Sequence, residues 1–89
     1  MDQVVDAERI LKALANRRRL AILAYLKERP GAKVGDIATH IKLSFKSTSR
    51  HLTVLLSAGV VDREQVSLEM HYRLETPLHP IIKTTLTTL

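Results

Sequence analysis

A three-residue turn between two stretches of helical character constrains this chain more than any other feature. The stretches are residues 36–41 and 45–59, and the turn is residues 42–44. Ser44 precedes the second stretch, where its side-chain oxygen can accept a backbone N–H that the start of a helix leaves unpaired. The pattern predicts a helix-turn-helix, in which the second helix enters the major groove of DNA. Residues at helical spacing form its inward side, namely Thr48, Leu52, Leu55 and Gly59.

The outward side of this second helix carries side chains that suit DNA. Lysine and arginine can donate to guanine edges and to phosphate oxygens, and hydroxyl groups also contact phosphate. Phe45 begins the helix, where it either contacts a thymine methyl or packs on the preceding helix. His51 is either a DNA contact or a half-buried histidine bonded to the backbone. The predicted DNA-contacting residues of this helix are Phe45, Lys46, Ser47, Ser49, Arg50 and Thr53.

Three consecutive arginines open an earlier helix, which Asn16 is predicted to cap and which extends to about Glu28. Cations in a first turn oppose the helix dipole, which favours anions there by about 0.3–1 kcal/mol. A bound phosphate would satisfy the dipole and the arginines together. We therefore predict phosphate contacts for Arg17 and Arg18. The alternative is a solvated cluster in which Arg19 pairs with an acid of the first helix.

The net charge of +5 is unevenly distributed along the chain. Residues 1–59 contain 11 Lys and Arg against 5 Asp and Glu, whereas residues 60–89 contain 3 against 4. This basic region favours a polyanionic partner, although a basic surface kept for solubility would give the same count. Aromatic residues are only 3% of the chain, which disfavours recognition of single strands by stacking. The expected partner is double-stranded DNA.

The composition excludes several other classes of protein. The absence of cysteine removes disulfides, thiolate metal sites and cysteine redox chemistry. No apolar run reaches the roughly 18 residues of a membrane span, and the N-terminus lacks the apolar region of a signal peptide. No Gly-rich phosphate loop or Ser–His–acid arrangement indicates catalysis. We expect a cytoplasmic protein that is not an enzyme, contacts no membrane and needs no cofactor.

After residue 59 the apolar period changes from that of a helix to that of a strand. Strands are predicted at about residues 60–65 and 68–74, joined by a turn at Val66–Ser67, and together they form a wing after the second helix. The inward side of the second strand is predicted to carry Leu68, Met70, Tyr72 and Leu74.

Helices are also predicted at both ends of the chain. Residues 3–15 have an apolar side wider than one core contact needs, which indicates contact with a second subunit. A last helix begins at Thr76–Pro77, a capping residue followed by a first-turn proline. Its inward residues are Leu78, Ile82, Leu86 and Leu89. The expected fold is mainly α with a two-stranded wing, a winged helix-turn-helix in the order α-α-α-α-β-β-α, formed as a single domain by residues 1–89.

Three stretches of the chain carry a resemblance that covers about residues 7–75. They are residues 11–23 (LKALANRRRLAIL), 43–61 (LSFKSTSRHLTVLLSAGVV) and 71–74 (HYRL). These stretches resemble the ArsR/SmtB family of small bacterial and archaeal repressors. The resemblance implies a homodimer, joined through its first and last helices, that represses transcription at a palindromic operator.

The chain departs from this family in its metal ligands and in its wing. Metal-sensing members bind through cysteine pairs or through Asp, His and Glu clusters on the last helix, whereas this chain offers only His79 there. A zinc site needs three or four ligands, so we expect no metal site. The wing carries Glu64 and Glu69 beside Arg63 and Arg73. Its contact with phosphate is expected to be weak, and Arg63 is its candidate DNA contact.

The sequence thus predicts a sequence-specific DNA-binding regulator, a dimeric repressor that senses no metal. Two alternatives stay open. One is a winged helix that serves as a protein-protein interaction module and does not bind DNA, and the other is a DNA-binding member that does sense metal. The basic outward side of the second helix argues against the first alternative, and the missing ligands argue against the second.

Overall fold

A computed structural model describes residues 2–89, so Met1, the first residue of the predicted domain, lies outside the described residues. No helix within residues 2–89 is long and apolar enough to cross a membrane. The helices and strands are, in chain order, α1 (Asp2–Leu14), α2 (Arg17–Glu28), β1 (Ala32–Lys33), α3 (Val34–Ile41), α4 (Phe45–Ser57), β2 (Val61–Val66), β3 (Glu69–Leu74) and α5 (Pro80–Thr87).

Local capping fixes the starts of α2 and α4 where the sequence predicts them. The side-chain oxygen of Asn16 accepts hydrogen bonds from the backbone N–H groups of Arg18 and Arg19, at 2.9 and 3.1 Å. The hydroxyl of Ser44 accepts one from the N–H of Ser47, at 3.1 Å. Each bond satisfies a donor that the first helical turn leaves free, so both predicted caps are confirmed.

The helix α4 ends at Ser57, and Gly59 terminates it instead of extending its inward side as predicted. Gly59 has a φ of 72°, a left-handed conformation that glycine adopts without a steric penalty. Its N–H bonds to the carbonyl of Leu56 at 3.1 Å, and the N–H of Val60 bonds to the carbonyl of Leu55 at 2.9 Å. These two bonds close the C-terminus of the helix and direct the chain into β2.

The wing, β2 and β3, belongs to a three-stranded antiparallel sheet in the order β1-β3-β2. The strand β1 was not predicted, because two residues are too few to show an alternating pattern. It forms because Ala32 pairs with Tyr72 and Lys33 pairs with His71. The central strand β3 therefore ties the wing to the chain that precedes α3.

The hairpin turn of the wing lies one residue later than predicted, at Ser67 and Leu68. The strand β2 continues through Val66, which pairs with Glu69, and Ser67 adopts a φ of 59°. Leu68 is therefore 94% exposed at the tip, and the prediction that it faces the core was wrong. The other predicted inward residues do pack on the core, namely Met70, Tyr72 and Leu74.

The last helix begins at Pro80, and the predicted start at Thr76–Pro77 was wrong. His79 caps the helix, because its Nδ1 accepts the backbone N–H two residues later at 3.1 Å. Either proline suits a first helical turn, so the local sequence does not distinguish the two starts. The chain before Pro80 instead carries Leu78 onto the core, and Leu89 lies beyond the helix. The buried residues of α5 are Ile82 and Leu86.

One cluster of buried apolar side chains joins all five helices to the sheet. Removal of these side chains from water is the main source of stability in a domain of this size. The buried apolar residues with exposures below 2% are Ile22, Leu23, Leu26, Ile37, Leu52, Leu55, Val60, Val61 and Ile82. Because α2, α3, α4 and α5 all contribute to this cluster, the core fixes which side of α4 remains outside.

Candidate nucleic-acid interface

We call α4 the recognition helix. The turn that precedes it is closed by backbone hydrogen bonds. Lys42 adopts a left-handed conformation with a φ of 57°. The N–H of Leu43 bonds to the carbonyl of Ala38 at 3.0 Å, and Ser44 then caps the recognition helix. Lys42 is exposed in this turn, so it adds a cation beside the start of the recognition helix. Helical periodicity did not reveal this candidate, because Lys42 belongs to neither helix.

The inward side of the recognition helix is completely buried, as predicted. Thr48, Leu52 and Leu55 each have 0% exposure. The hydroxyl of Thr48 has no hydrogen-bond partner among the described residues. Burial of a hydroxyl without a partner costs stability, and the apolar neighbours must offset that cost. The buried side therefore holds the recognition helix in one rotational setting.

The two cations of the recognition helix lie on its solvent side. Lys46 and Arg50 are exposed, and neither is in an ion pair with a carboxylate in the part of the chain that the structure describes. Both positive charges are thus available to an external anion, with no internal ion pair to break. Ser47 lies beside them and is half-buried, and its backbone N–H is already used by the cap.

A groove of about 420 Å³ separates the start of the recognition helix from the wing. Phe45, Ser49 and Thr53 line it from the helix, and Arg63 and Leu68 line it from the wing. Phe45 is 62% exposed, so it faces the groove and is not packed into the core. The hydroxyl of Thr53 donates to the carbonyl of Ser49 at 3.0 Å, so its remaining surface is its methyl group and its lone pairs. The structure thus brings four of the predicted contact residues together.

The charges of the wing are mostly paired within the wing. Arg73 lies 2.8 Å from a carboxylate oxygen of Asp62 and 3.8 Å from one of Glu64. Lys33 of β1, which the sequence analysis did not single out, lies 3.5 Å from Glu69. These ion pairs leave little net positive charge on the wing for a phosphate to meet.

The predicted wing contact, Arg63, is held beside the recognition helix and away from the tip of the wing. One guanidinium nitrogen of Arg63 donates to the hydroxyl of Tyr72, at 3.4 Å. The remaining donors of the guanidinium are free to face the groove. Arg63 can therefore reach a ligand between the helix and the wing more readily than one at the tip.

The arginines that open α2 differ in their surroundings. Arg17 is exposed and Arg18 is half-buried, and neither forms an ion pair within residues 2–89. Arg19 donates to the backbone carbonyls of Ala13 and Lys12 at the end of α1. The alternative in which Arg19 pairs with an acid was therefore wrong. Arg19 instead donates to backbone carbonyls that the end of a helix leaves without partners.

Arg19 also contacts the recognition helix through His51. One guanidinium nitrogen lies 3.3 Å from Nδ1 of His51. Since arginine can only donate, this Nδ1 accepts and the imidazole is neutral. Burial lowers the pKa of His51, and the positive charges of Arg19 and Arg18 lower it further. Neither of the two roles considered for His51 anticipated this contact, because 32 positions separate the two residues in the sequence.

The histidines that a metal would need are engaged in other bonds. His71 Nδ1 lies 2.9 Å from the carbonyl of Gly31, and His79 Nδ1 caps α5. Within residues 2–89 no group of three or more His, Asp or Glu side chains is placed to hold a metal ion. The expectation that the protein has no metal site stays a prediction.

Comparison with known proteins identifies the family from this same region. The family model of bacterial regulatory proteins of the arsR family matches residues 16–63, from the cap of α2 into β2. The chain belongs to the arsR family. This family consists of DNA-binding transcription regulators and not of enzymes, and the predicted family and fold class are both confirmed.

Relatives of known structure share the whole fold. A homodimeric winged helix-turn-helix DNA-binding domain, Mb0332 from Mycobacterium bovis, superposes with a TM-score of 0.86 at 28% identity, covering 98% of this chain and 78% of that one. Reduced HlyU from Vibrio cholerae gives 0.83 at 30% identity, covering 99% and 88%. In a comparison of sequences alone, the transcriptional regulator YgaV of Escherichia coli is 30% identical to this chain over 70 residues, which cover 79% of this chain and 71% of YgaV.

Proposed function

We propose that this arsR-family regulator is a homodimeric repressor that binds a palindromic operator, with one recognition helix of each subunit in the major groove. The observation that carries this proposal is the outward side of α4, where Lys46 and Arg50 are exposed and unpaired among the described residues. Free cations of this kind suit guanine edges and phosphates. Such a regulator acts where the chromosome lies, so we infer a cytoplasmic location.

We assign different tasks to the predicted contact residues. Arg50 reads a base edge, because it projects from the middle of the exposed side of the recognition helix. Phe45 contacts a thymine methyl, because it is an exposed aromatic side chain beside the groove. Arg17 and Arg18 bind phosphate at the start of α2. The supporting contacts are Lys46, Ser47, Ser49, Thr53 and Arg63.

The proposed dimer interface is an exposed apolar stripe on α1. Val4 is 65% exposed and Leu11 is 52% exposed, and the two line one shallow depression of about 650 Å³. Exposed apolar side chains at helical spacing suit burial against another subunit. The helix α1 packs against α5, so the two terminal helices are neighbours in the fold. The homodimeric state of the Mb0332 domain supports the same arrangement.

A DNA-binding regulator either activates or represses transcription. HlyU of Vibrio cholerae is named a transcriptional activator, so membership of the family does not by itself fix this direction. We propose repression, because the chain is also similar to PagR of Bacillus anthracis, which is named a transcriptional repressor. A reporter with the selected operator across its promoter should lose transcription when the protein is present, and a gain would contradict repression.

We further propose that the switch, if the cell uses one, is not a transition metal. His79 is committed through Nδ1 to the start of α5, and only its other ring nitrogen remains for a ligand. A metal held by so few ligands would bind both conformations weakly and would shift their balance little. Operator affinity after chelator treatment should stay within about threefold on addition of stoichiometric zinc, nickel or cadmium. A tenfold loss that His79→Ala abolishes would overturn this proposal.

Selection of bound duplexes from a random library tests DNA binding directly. The selected sites should be palindromes with half-sites about 34 Å apart, one helical turn. If four basic side chains of each subunit reach phosphates, log K should fall with log salt at a slope of about −7. Recovery of no enriched sequence, with binding insensitive to salt, would favour the protein-interaction module instead.

Sedimentation of two matched variants tests the dimer interface. Leu11→Glu places a charge on the α1 stripe and should shift the protein to a monomer at micromolar concentration, because a buried unpaired charge opposes association. Leu68→Glu makes the same chemical change at the exposed tip of the wing and should leave the dimer intact. Equal behaviour of the two variants would mean that the α1 stripe is not the interface.

A further inference from the structure

A second cleft opens between the end of α1, the start of α2 and the C-terminal half of the recognition helix, and it shares Thr53 with the groove beside the wing. Its volume is about 480 Å³, within the range of clefts that take small organic molecules. Its walls include an apolar part and a basic part. The apolar part is formed by Ala13, Val54 and Ala58, and the basic part by Arg9, Lys12 and Arg19.

The basic part of this cleft has no carboxylate among its lining residues. Arg9 and Lys12 do form ion pairs with Asp6 and Glu8, at 3.2 and 3.8 Å, but all four side chains are more than half exposed. Exposed pairs of this kind contribute little and break easily. Arg19 forms no ion pair with any described carboxylate, so its positive charge is uncompensated.

The guanidinium of Arg19 is fixed in place but retains free donors. Three of its five N–H groups are directed at the carbonyls of Ala13 and Lys12 and at Nδ1 of His51. The two that remain require acceptors. A carboxylate supplies two acceptors in the plane of a guanidinium, with charge assistance. Burial lowers the pKa of His51, and the positive charges of Arg19 and Arg18 lower it further, which agrees with the uncompensated charge at this point.

We propose that this cleft binds a small organic carboxylate, with its carboxyl group on Arg19 and its apolar body against Val54 and the neighbouring alanines. Most of the cleft stays open in the proposed dimer, because Arg9 and Ala13 lie on the opposite side of α1 from the Val4 and Leu11 stripe, and Lys12 borders both surfaces. The carboxylate is then an effector of the proposed regulator and not part of its DNA contact.

Occupation of the cleft should alter DNA affinity, because Arg19 links α1 to the recognition helix. The same guanidinium holds the carbonyls at the end of α1 and touches His51 of α4. A carboxylate bound to the two remaining N–H groups pulls on the same guanidinium and so changes how the recognition helix rests against α1. Since each site then biases the other, the carboxylate and the operator must affect each other's affinity by the same factor.

An NMR titration of the ¹⁵N-labelled protein with benzoate tests the site, with benzyl alcohol as a neutral compound of nearly the same shape. We expect saturable shifts at the amides of Ala13, Val54 and Ala58 and at Nε of Arg19, with a dissociation constant of about 1 mM. Benzyl alcohol should bind about tenfold more weakly, because it lacks the charge. Shifts that never saturate, or that centre on Arg50, would overturn the proposal.

Three variants test whether benzoate binds to Arg19 in the cleft or responds to positive charge anywhere on the protein. Arg19→Gln should weaken benzoate about tenfold, whereas Arg29→Gln, which removes an equal charge outside the cleft, should leave affinity unchanged. Val54→Trp fills the cleft without changing its charge and should abolish saturable binding, so the test survives if Arg19→Gln does not fold. Equal benzoate affinity in wild type and Val54→Trp would overturn the site.

Operator affinity with and without saturating benzoate tests the coupling separately. A change of about fivefold or more, absent from Val54→Trp, is expected. Saturable benzoate binding with unchanged operator affinity would overturn the coupling. Because the NMR titration contains no DNA, a failure of the carboxylate site and a failure of the proposed repressor function give different results.

Discussion

The recognition helix and the wing face the same groove, but they differ in how their charges are balanced. On the recognition helix, Lys46 and Arg50 have no carboxylate partner within residues 2–89. On the wing, Arg73 lies between Asp62 and Glu64 and is neutralised by them. Free charge favours binding of a polyanion, whereas a charge that already lies beside carboxylates is largely cancelled and adds little to such binding. We therefore propose that affinity for DNA resides in the helices, and that the wing acts mainly as a support.

The apolar tip of the wing strengthens this contrast. Leu68 is 94% exposed where a basic residue would be expected if the tip bound phosphate. Arg63, the remaining cation of the wing, is turned toward the recognition helix and bonded to Tyr72. The wing therefore forms one side of the groove, and in the proposed function the exposed side of α4 supplies the contacts that recognise DNA.

The largest expected effect is on operator affinity. It should appear when a free arginine is removed and be nearly absent when a paired arginine is removed. Arg50→Ala should weaken operator binding by about 1–3 kcal/mol and relax the preference at one base pair, because it removes a base contact. Arg73→Ala should change operator affinity by less than about 0.5 kcal/mol, because its charge is already neutralised. Fluorescence anisotropy on operator and random duplexes measures both. Similar losses from the two variants would show that ion pairing on the wing does not reduce its contribution to DNA binding, and equal losses from Arg50→Ala on both duplexes would contradict base reading by Arg50.

The buried side of the recognition helix gives the next effect, on stability. Thr48→Val replaces an unpartnered buried hydroxyl with a methyl of the same shape and should raise the free energy of unfolding by about 1 kcal/mol. Thr84→Val, the same change on the exposed side of α5, should give no such gain. Urea denaturation measures both variants. A loss of stability in Thr48→Val would show that the hydroxyl has a partner, such as a buried water.

Arg17→Ala tests whether the second basic region positions the protein without reading sequence. It should weaken binding to operator and to random DNA alike, because a phosphate contact carries no sequence information. The slope of log K against log salt should become shallower by about one unit for each subunit. A loss confined to the operator would instead make Arg17 a reader of sequence.

The smallest expected effect is the pH dependence of stability from His51. Burial, Arg19 and Arg18 lower its pKa below the ordinary value of 6.5, so the unfolded chain takes up this proton at higher pH than the folded one. The stability due to neutral His51 is therefore complete above that ordinary value and is lost as pH falls through the lowered pKa. His51→Gln should flatten the fall of the urea midpoint as the pH drops below the ordinary value of 6.5, and the control His40→Gln, at an exposed site, should not. Identical profiles for all three proteins would contradict this role.

Signals that act within a few residues allowed much of the helical framework to be predicted. Asn16 and Ser44 are side-chain caps, and their bonds reach only two or three positions along the chain. The helical spacing of Thr48, Leu52 and Leu55 likewise predicts one buried side. These same signals led to the candidate contacts on α4, because an inward stripe determines which residues remain outside.

Pairing between distant parts of the chain decided the rest. Two residues are too few for a strand to be predicted, and β1 exists because Ala32 pairs with Tyr72. The register of β2 and β3 moved the turn and placed Leu68 at an exposed tip, although its alternating position suggested burial.

Side-chain partners showed the same dependence on the tertiary structure. The sequence identified Arg17 and Arg18 as cations that lack local partners, but it did not show that Arg19 would bond the end of α1 and reach His51. Caps and periodicity are local interactions that a sequence displays directly. Strand register and the partner of a long cation depend on which distant groups packing brings within bonding distance, and only the folded chain determines that.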